Sequence, residues 1–334
     1  VEMSNGCICC TLREDLIEEV AQLAQEGRFD YLLIESTGIS EPLPVAQTFS
    51  FDSEELKVNL SEVSELDTLV TVVDAFNFHR DFGSVDTIYS RELNDDPADQ
   101  RTIVNLLVDQ LEFANVILLN KTDLVTEQQA QELEALIRKF NADAKIIRTE
   151  HSQVAPSEIL NTRLFDYERT SQSAGWIKEL YEEHTPETEE YGISSFVFRA
   201  RRPFHPERFW QYLNRDWPGT VVRSKGLFWI ASRPADAINW SQAGGSLRAE
   251  KAGVWWSSMP YSQRINHPAF VENKAFIEGR WDTDWGDRKT ELVLIGQDME
   301  EQRIRSALSA CLLTDEEVKD WERGKAFADN WPVW

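Results

Sequence analysis

Three of the four cysteines in this 334-residue sequence fall within four positions, as Cys7, Cys9 and Cys10 in the run Asn5-Gly6-Cys7-Ile8-Cys9-Cys10. Thiolates that close repel one another unless a cation shares them, and a soft divalent ion such as zinc does this well. The residues that follow read as a helix start, because Thr11 and Glu14 have the spacing of a capping box. The sulfurs would then sit at a helix N-terminus, where the dipole lowers thiol pKa values. Cys9 and Cys10 are neighbours, so a tetrahedral site needs a fourth ligand from elsewhere in the chain or from water. Free cysteine is often a small buried hydrophobe, and adjacent cysteines can be redox-active, but three in four positions ahead of a capped helix favour metal. Cys311, on the apolar face of a helical stretch, reads as core.

Two further stretches carry a different chemistry. Asn120-Lys121-Thr122-Asp123 follows the buried-strand pattern Val116-Ile117-Leu118-Leu119, where an α/β sheet presents loops to its ligand. An aspartate there accepts from both the ring N–H and the exocyclic amine of guanine, a contact adenine does not offer. Asn120 would brace the loop, and the Lys121 stem would lie against the base. Glu35-Ser36-Thr37-Gly38 closes another apolar run. A carboxylate at the C-terminal end of a central strand is where a nucleotide-binding sheet holds Mg²⁺ through water. Gly38 lets a backbone N–H approach a γ-phosphate and withdraw when that phosphate leaves. Taken alone, Glu35 reads better as a loop cap or an arginine partner. His79, His151, His184, His205 and His267 show no ligand spacing. His151 follows a strand pattern where a last nucleotide loop would pass, and His184 lies among acids. Trp229, Trp255, Trp256, Trp281 and Trp285 read as core or interface anchors.

The elements that must position these residues alternate. Residues 12–26 place Leu12, Leu16, Val20, Leu23 and Ala24 on one helical face, and Gly27 ends the helix. Phe29–Ser36, Leu69–Ala75 and Asn115–Leu119 are short apolar runs without strict alternation, as in strands buried on both faces. Helices are expected over Pro97–Glu112 and Glu127–Phe140, a further strand over Ala144–Arg148, and one or two closing helices over 157–183. That alternation predicts an α/β fold, a parallel sheet with helices on both faces. Glu182–Tyr191 is acidic, Pro-interrupted and without apolar period, which marks a linker. Beyond it, strands are expected at Ile193–Arg199, Leu227–Ser232, Trp240–Ala243, Arg248–Trp256 and Glu291–Ile295. Helices are expected over Pro206–Asn214 and 299–313, with a last one opened by the Thr314/Glu317 capping box and running to about Ala326. This second part reads as a smaller α+β domain.

Composition divides at the same place. Residues 1–190 carry 14 Lys and Arg against 39 Asp and Glu, and residues 191–334 carry 20 against 19. Eleven of the 12 tryptophans lie after residue 190. A chain of formal charge −24 would be repelled by phosphate backbones and anionic lipid, so nucleic acid and membrane surfaces are not expected partners. No apolar run reaches about 18 residues, and no signal peptide is visible. Clustered thiols point to a reducing, cytoplasmic setting. The sequence starts at Val1, inside what reads as a strand end, and is expected to lack an N-terminal segment.

With Gly6-Cys7-Ile8-Cys9-Cys10, then Ile34-Glu35-Ser36-Thr37-Gly38-Ile39-Ser40-Glu41-Pro42, then Asn120-Lys121-Thr122-Asp123 in this order, the chain resembles the CobW-type GTPases. These are zinc-regulated metallochaperones related to the nickel chaperones of urease and hydrogenase maturation. The similarity runs over nearly the whole chain, and Trp285–Gly296 looks like part of the family's C-terminal domain. It implies a P-loop-NTPase-like domain over 1–183 without its phosphate loop, an acidic linker over 184–192, a CobW-type C-terminal domain over 193–317 and a helix and tail over 318–334. By that similarity Cys7, Cys9 and Cys10 bind metal, Glu35 and Gly38 serve the catalytic switch and magnesium side, and Asn120, Lys121 and Asp123 bind guanine. The implied activity is GTP hydrolysis coupled to transfer of zinc, or of cobalt or iron, to a client metalloprotein; a homo-oligomer is compatible with it. The family's phosphate loop should precede Val1, and no G-x-x-x-x-G-K-[ST] occurs in these residues. The chain as given is therefore expected to hydrolyse GTP poorly or not at all. Many relatives have a histidine-rich linker; here only His184 lies among acids, so metal storage there is not expected. Rival readings are a non-enzymatic metal-binding scaffold and a cobalt or iron insertion factor for cobalamin synthesis or nitrile hydratase. Thiolate-rich ligation fits zinc better.

Overall fold

The computed structural model describes residues 13–36, 38, 41–50, 60–91, 101–171, 174–181 and 191–332. Cys7, Cys9, Cys10, the Thr11 cap and the acidic stretch 182–190 lie outside these residues. The chain folds into two compact units, the first ending at Tyr181 but also taking in Ala243–Ser246, the second comprising the rest. Among the described residues no helix is long and apolar enough to cross a membrane.

Among the described residues the first unit is built on three parallel strands, β1 (Val70–Asp74), β2 (Val116–Asn120) and β3 (Lys145–Arg148), in that spatial order. Val116, Ile117, Leu118 and Leu119 of β2 are all buried, as an unbroken apolar run in a central parallel strand requires. The crossovers carry the helices Ile103–Glu112 and Glu127–Phe140. The second lays Ala130, Leu133, Leu136, Ile137 and Phe140 on the core and is opened by a reciprocal capping box between Thr126 and Gln129. The helix Arg13–Glu26 buries Leu16, Ile17, Val20 and Ala21 beside Phe49 and Leu60, and Gly27, at φ +60°, ends it. Its buried face is rotated from the expected one, with Ile17 and Ala21 covered and Ala24 exposed.

The expected strand over Phe29–Ser36 is not formed. Those residues are irregular, and Leu33 is 73% exposed. A strand is held by its ladder and by cover, and no described strand lies beside this run. The same lack of cover leaves Val72 of β1 56% exposed, where burial on both faces was expected. The helix expected from Pro97 is described from Ile103 onward.

Asn141 fastens the helices of this unit at their C-terminal ends. It is completely buried, its amide donating to the carbonyls of Leu111 (2.9 Å) and Ala114 (2.8 Å). Its Oδ1 accepts from the N–H groups of Asp143 (3.2 Å) and Ala144 (3.1 Å). One side chain thus satisfies four backbone groups that a buried loop could not otherwise pair.

The second unit is a five-stranded sheet in the order β4–β8–β5–β6–β7. The strands are β4 (Ile193–Ala200), β5 (Val221–Phe228), β6 (Asp236–Ala243), β7 (Ser246–Val254) and β8 (Thr290–Gln297), with β8 antiparallel to both β4 and β5. β5 starts earlier than the apolar pattern Leu227–Ser232 predicts. Arg223 and Ser224 are buried within it because Arg223 donates to Ser241 Oγ (2.9 Å) and Ser224 Oγ accepts from the Trp240 indole (3.0 Å). Trp229–Ser232 instead leave the sheet, and Trp229 packs with Trp255, Trp285 and Trp321. Gly226, at φ +150°, brings its backbone so close to β8 that a Cβ there would overlap the Glu291 carbonyl. The helix from Pro206 passes into a π-helical turn, Tyr212–Asp216. The helix Glu301–Ala310 buries Ile304 and Leu308, with Cys311 buried just after it, and the Thr314/Glu317 capping box forms as read, opening Asp315–Glu322. Arg208 grips Glu317 through two parallel hydrogen bonds of 2.6 and 2.7 Å.

Two outcomes follow for stability. Asn141→Ala, which leaves three buried backbone groups and one half-buried one unpaired, should lower unfolding stability by about 3 kcal/mol in chemical denaturation. Hydrogen bonds from Arg208, against a smaller opposing effect of burial, bring the Glu317 carboxyl down to about 2 from an ordinary 4.5. A depressed carboxyl stabilises the fold above its unfolded value and loses that contribution as pH falls through the folded one. Glu317→Gln should therefore cost about 1 kcal/mol at neutral pH. The gap to the parent should close between about pH 4.5 and pH 2 in thermal melts.

Candidate nucleotide-binding site

The C-terminal ends of β1, β2 and β3 converge on the Asn120-Lys121-Thr122-Asp123 turn. β2 delivers Asn120, whose Oδ1 accepts from Thr149 Oγ1 (3.2 Å) and from the Ser152 N–H (2.8 Å). The Thr149 carbonyl in turn accepts from the Thr122 N–H (3.3 Å) and hydroxyl (3.1 Å), while the Thr149 N–H donates to the Leu119 carbonyl (2.9 Å). Asn120 therefore braces the loop, as its residue type implied, by sewing the segment after β3 to the turn after β2. His151 and Ser152 both take left-handed backbone angles, φ +51° and +55°. His151 is exposed on this loop.

Lys121 is left-handed as well, at φ +62° and ψ +33°, and its ammonium donates to Asp74 Oδ2 at 2.6 Å. Thr122–Leu124 form a 3₁₀ turn that leaves Asp123 exposed and without a hydrogen-bond partner among the described residues. A carboxylate without a partner among the described residues has its oxygens available to accept from the N–H groups of a ligand. Asp74 is the residue that motif reading missed. It ends β1 directly opposite Asn120 in the ladder. Its Oδ1 accepts from the N–H groups of Phe76 (3.1 Å) and Asn77 (3.0 Å), and Oδ2 from Asn77 Nδ2 (2.7 Å) as well as Lys121. Burial opposes its ionisation, but the hydrogen bonds from Lys121 and Asn77 outweigh it and hold the carboxyl below the usual carboxylate range. The signal in the sequence was the acidic residue set inside the apolar run Leu69–Ala75, one place before its end.

Glu35 and Gly38 are both exposed, and no described contact ties them to the turn at 120–123. Glu35 has no ion-pair partner among the described residues; the nearby carboxylate that takes an arginine is Glu41, 3.1 Å from Arg101. The Gly38 carbonyl accepts from Gln110 Nε2 (3.1 Å), and a Cβ there would meet nothing within 4 Å, so packing does not explain the glycine. Cys7, Cys9 and Cys10 fall outside the described residues. Among those that are described, no group of three His, Cys, Asp or Glu could hold a metal ion. Cys311 is core, and burial pushes its thiol up to about 11. His205 caps the helix Pro206–Gln211 by accepting from the Arg208 N–H. A groove of about 670 Å³ in the second unit, lined in part by Tyr212, Asp216, Arg303 and Cys311, carries none of the expected site residues.

Residues 1–148 match the CobW/HypB/UreG nucleotide-binding domain, and residues 193–312 match the cobalamin synthesis protein cobW C-terminal domain. The chain is 45% identical over 337 residues to zinc-regulated GTPase metalloprotein activator 1 of Dictyostelium discoideum, covering all of this chain and 69% of that protein. It is 27% identical over 345 residues to a Mycobacterium tuberculosis protein named as a zinc chaperone, covering all of this chain and 79% of the other. The solved structure of Zn(II)-bound YjiA GTPase from E. coli aligns over 91% of this chain and 78% of that one, at 19% identity and a TM-score of 0.36, too low to carry a structural argument.

Proposed function

Because this chain belongs to the CobW/HypB/UreG family, we propose that it is a GTP-dependent zinc metallochaperone, with zinc as its cargo at Cys7, Cys9 and Cys10 and a client metalloprotein as recipient. The observation that carries this reading is the turn at 120–123, where a braced Asn120 and a tethered Lys121 precede Asp123, whose carboxylate has no partner among the described residues. Asp123 accepts from the ring N–H and amine of guanine, and Lys121 lies along the base. The names of the Dictyostelium and Mycobacterium relatives support zinc over cobalt or iron, as does a ligand set made of thiolates.

Magnesium fits the donors on the phosphate side. Mg²⁺ keeps most of its ligands as water and phosphate oxygens and asks for one or two carboxylates, and Glu35 is an exposed carboxylate free of any described ion pair. When bound with nucleotide, the ion would neutralise charge on the phosphates. Gly38, with open space around its Cα, leaves a backbone N–H free to approach a γ-phosphate and to withdraw after hydrolysis. Occupancy of the nucleotide would in this way govern whether the thiolates hold or release zinc. These 334 residues include no G-x-x-x-x-G-K-[ST], so a polypeptide of this sequence alone should bind guanine nucleotide without sustained turnover.

Metal analysis of protein purified under reducing conditions tests the cargo site. About one zinc per chain is expected, the stoichiometry of a single tetrahedral site, and Cys9→Ser should lose it while its circular dichroism is unchanged. Equal zinc in both proteins would overturn the site, and multiple turnovers by these 334 residues would overturn the expectation for hydrolysis.

A further inference from the structure

We infer that Asp74 is a positioning residue for nucleotide binding, fixing Lys121 as the platform for the purine; this deepens the guanine-binding reading above and rests on it. The two carboxylate oxygens divide their work. Oδ1 closes the turn after β1 by accepting from the Phe76 and Asn77 N–H groups, a local arrangement many aspartates make. Oδ2 does something the turn does not need: it takes the Lys121 ammonium at 2.6 Å and is itself held by Asn77 Nδ2 at 2.7 Å. The oxygen that meets the lysine is thus prevented from rotating.

The ion pair is a poor stability device. Lys121 is 43% and Asp74 32% exposed, and pairs that open to water contribute little to folding. It is instead attached to a residue in a strained conformation. Lys121 is left-handed, which costs a side chain with a Cβ and persists where the surroundings over-determine it, commonly at ligand clamps. Three constraints fix it: the β1–β2 ladder that sets Asp74 opposite Asn120, the 3.0 Å hydrogen bond from the Leu124 N–H to its carbonyl, and the Asp74 carboxylate at its tip. A lysine held at both ends keeps its stem in one place before the base arrives, so ordering it no longer weighs against binding.

This division of labour separates Asp74 from Asp123. Asp123 reads the amine of guanine, whereas a platform serves any purine with the same ring. The test is titration of the full chain with GDP and with IDP, whose base lacks that amine. Asp74→Asn keeps an Oδ1 acceptor for the two N–H groups and replaces Oδ2 by an amide nitrogen, so the bonds from Lys121 and Asn77 Nδ2 are lost together with the charge. It should weaken GDP and IDP binding by the same factor, about three- to tenfold, with the GDP-to-IDP ratio and melting temperature unchanged. Asp123→Ala should collapse the ratio. In a Lys121→Met background, Asp74→Asn should have no further effect, which a purely structural aspartate would not obey. GDP binding by Asp74→Asn within twofold of the parent, or an additive loss in the Lys121→Met background, would overturn the inference. A parent chain that does not prefer GDP over ADP would instead overturn the guanine reading beneath it.

Discussion

The parallel pairing of β1 with β2, which sets Asp74 opposite Asn120, is the constraint on which the loops at 74–77 and 120–123 depend. Burial of Val116–Leu119 holds β2 in place, and the period-two geometry of the strand then decides where its last residue stands. A slip of one residue in that ladder would turn Asn120 away from Thr149 and Ser152 and carry Lys121 away from Asp74. The apolar core therefore sets the geometry of polar groups that contribute little to its stability.

Polar residues do their work in this molecule where strands and helices end. Asn141 closes the C-terminal ends of two helices, Asn120 joins two loops and Asp74 orders a turn while gripping a lysine. Each saturates several backbone or side-chain donors at once, so none is left buried and unpaired. Asp123 is the exception, exposed and unpartnered among the described residues. A carboxylate kept free beside such ordered neighbours has its hydrogen-bonding capacity available for a ligand.

Much of this was legible in the sequence. Apolar runs without alternation marked β1 and β2, and the 3.6-residue period of Glu127–Phe140 marked its helix to the residue. What failed did so for physical reasons. Phe29–Ser36 has the side chains of a strand but no described neighbour to pair with, and periodicity does not report partners. β5 hides Arg223 and Ser224 because Ser241 and Trp240 satisfy them from the next strand, information held some 15 to 20 residues away. Asp74 matched no motif, because its role depends on Lys121 folding back against it. The cysteine run remains a reading of sequence spacing, since it lies outside the described residues.

The most direct measurement is base selectivity. GDP and XDP titrated into the full chain and into Asp123→Asn compare guanine with xanthine, which carries a carbonyl where guanine carries its amine. The parent should favour GDP by about tenfold or more, the discrimination of a site built to pair with that amine, and the asparagine variant should favour XDP. Equal binding of the two nucleotides by the parent, or an unchanged preference in Asp123→Asn, would contradict a guanine-reading turn at 120–123 and the GTP dependence built on it.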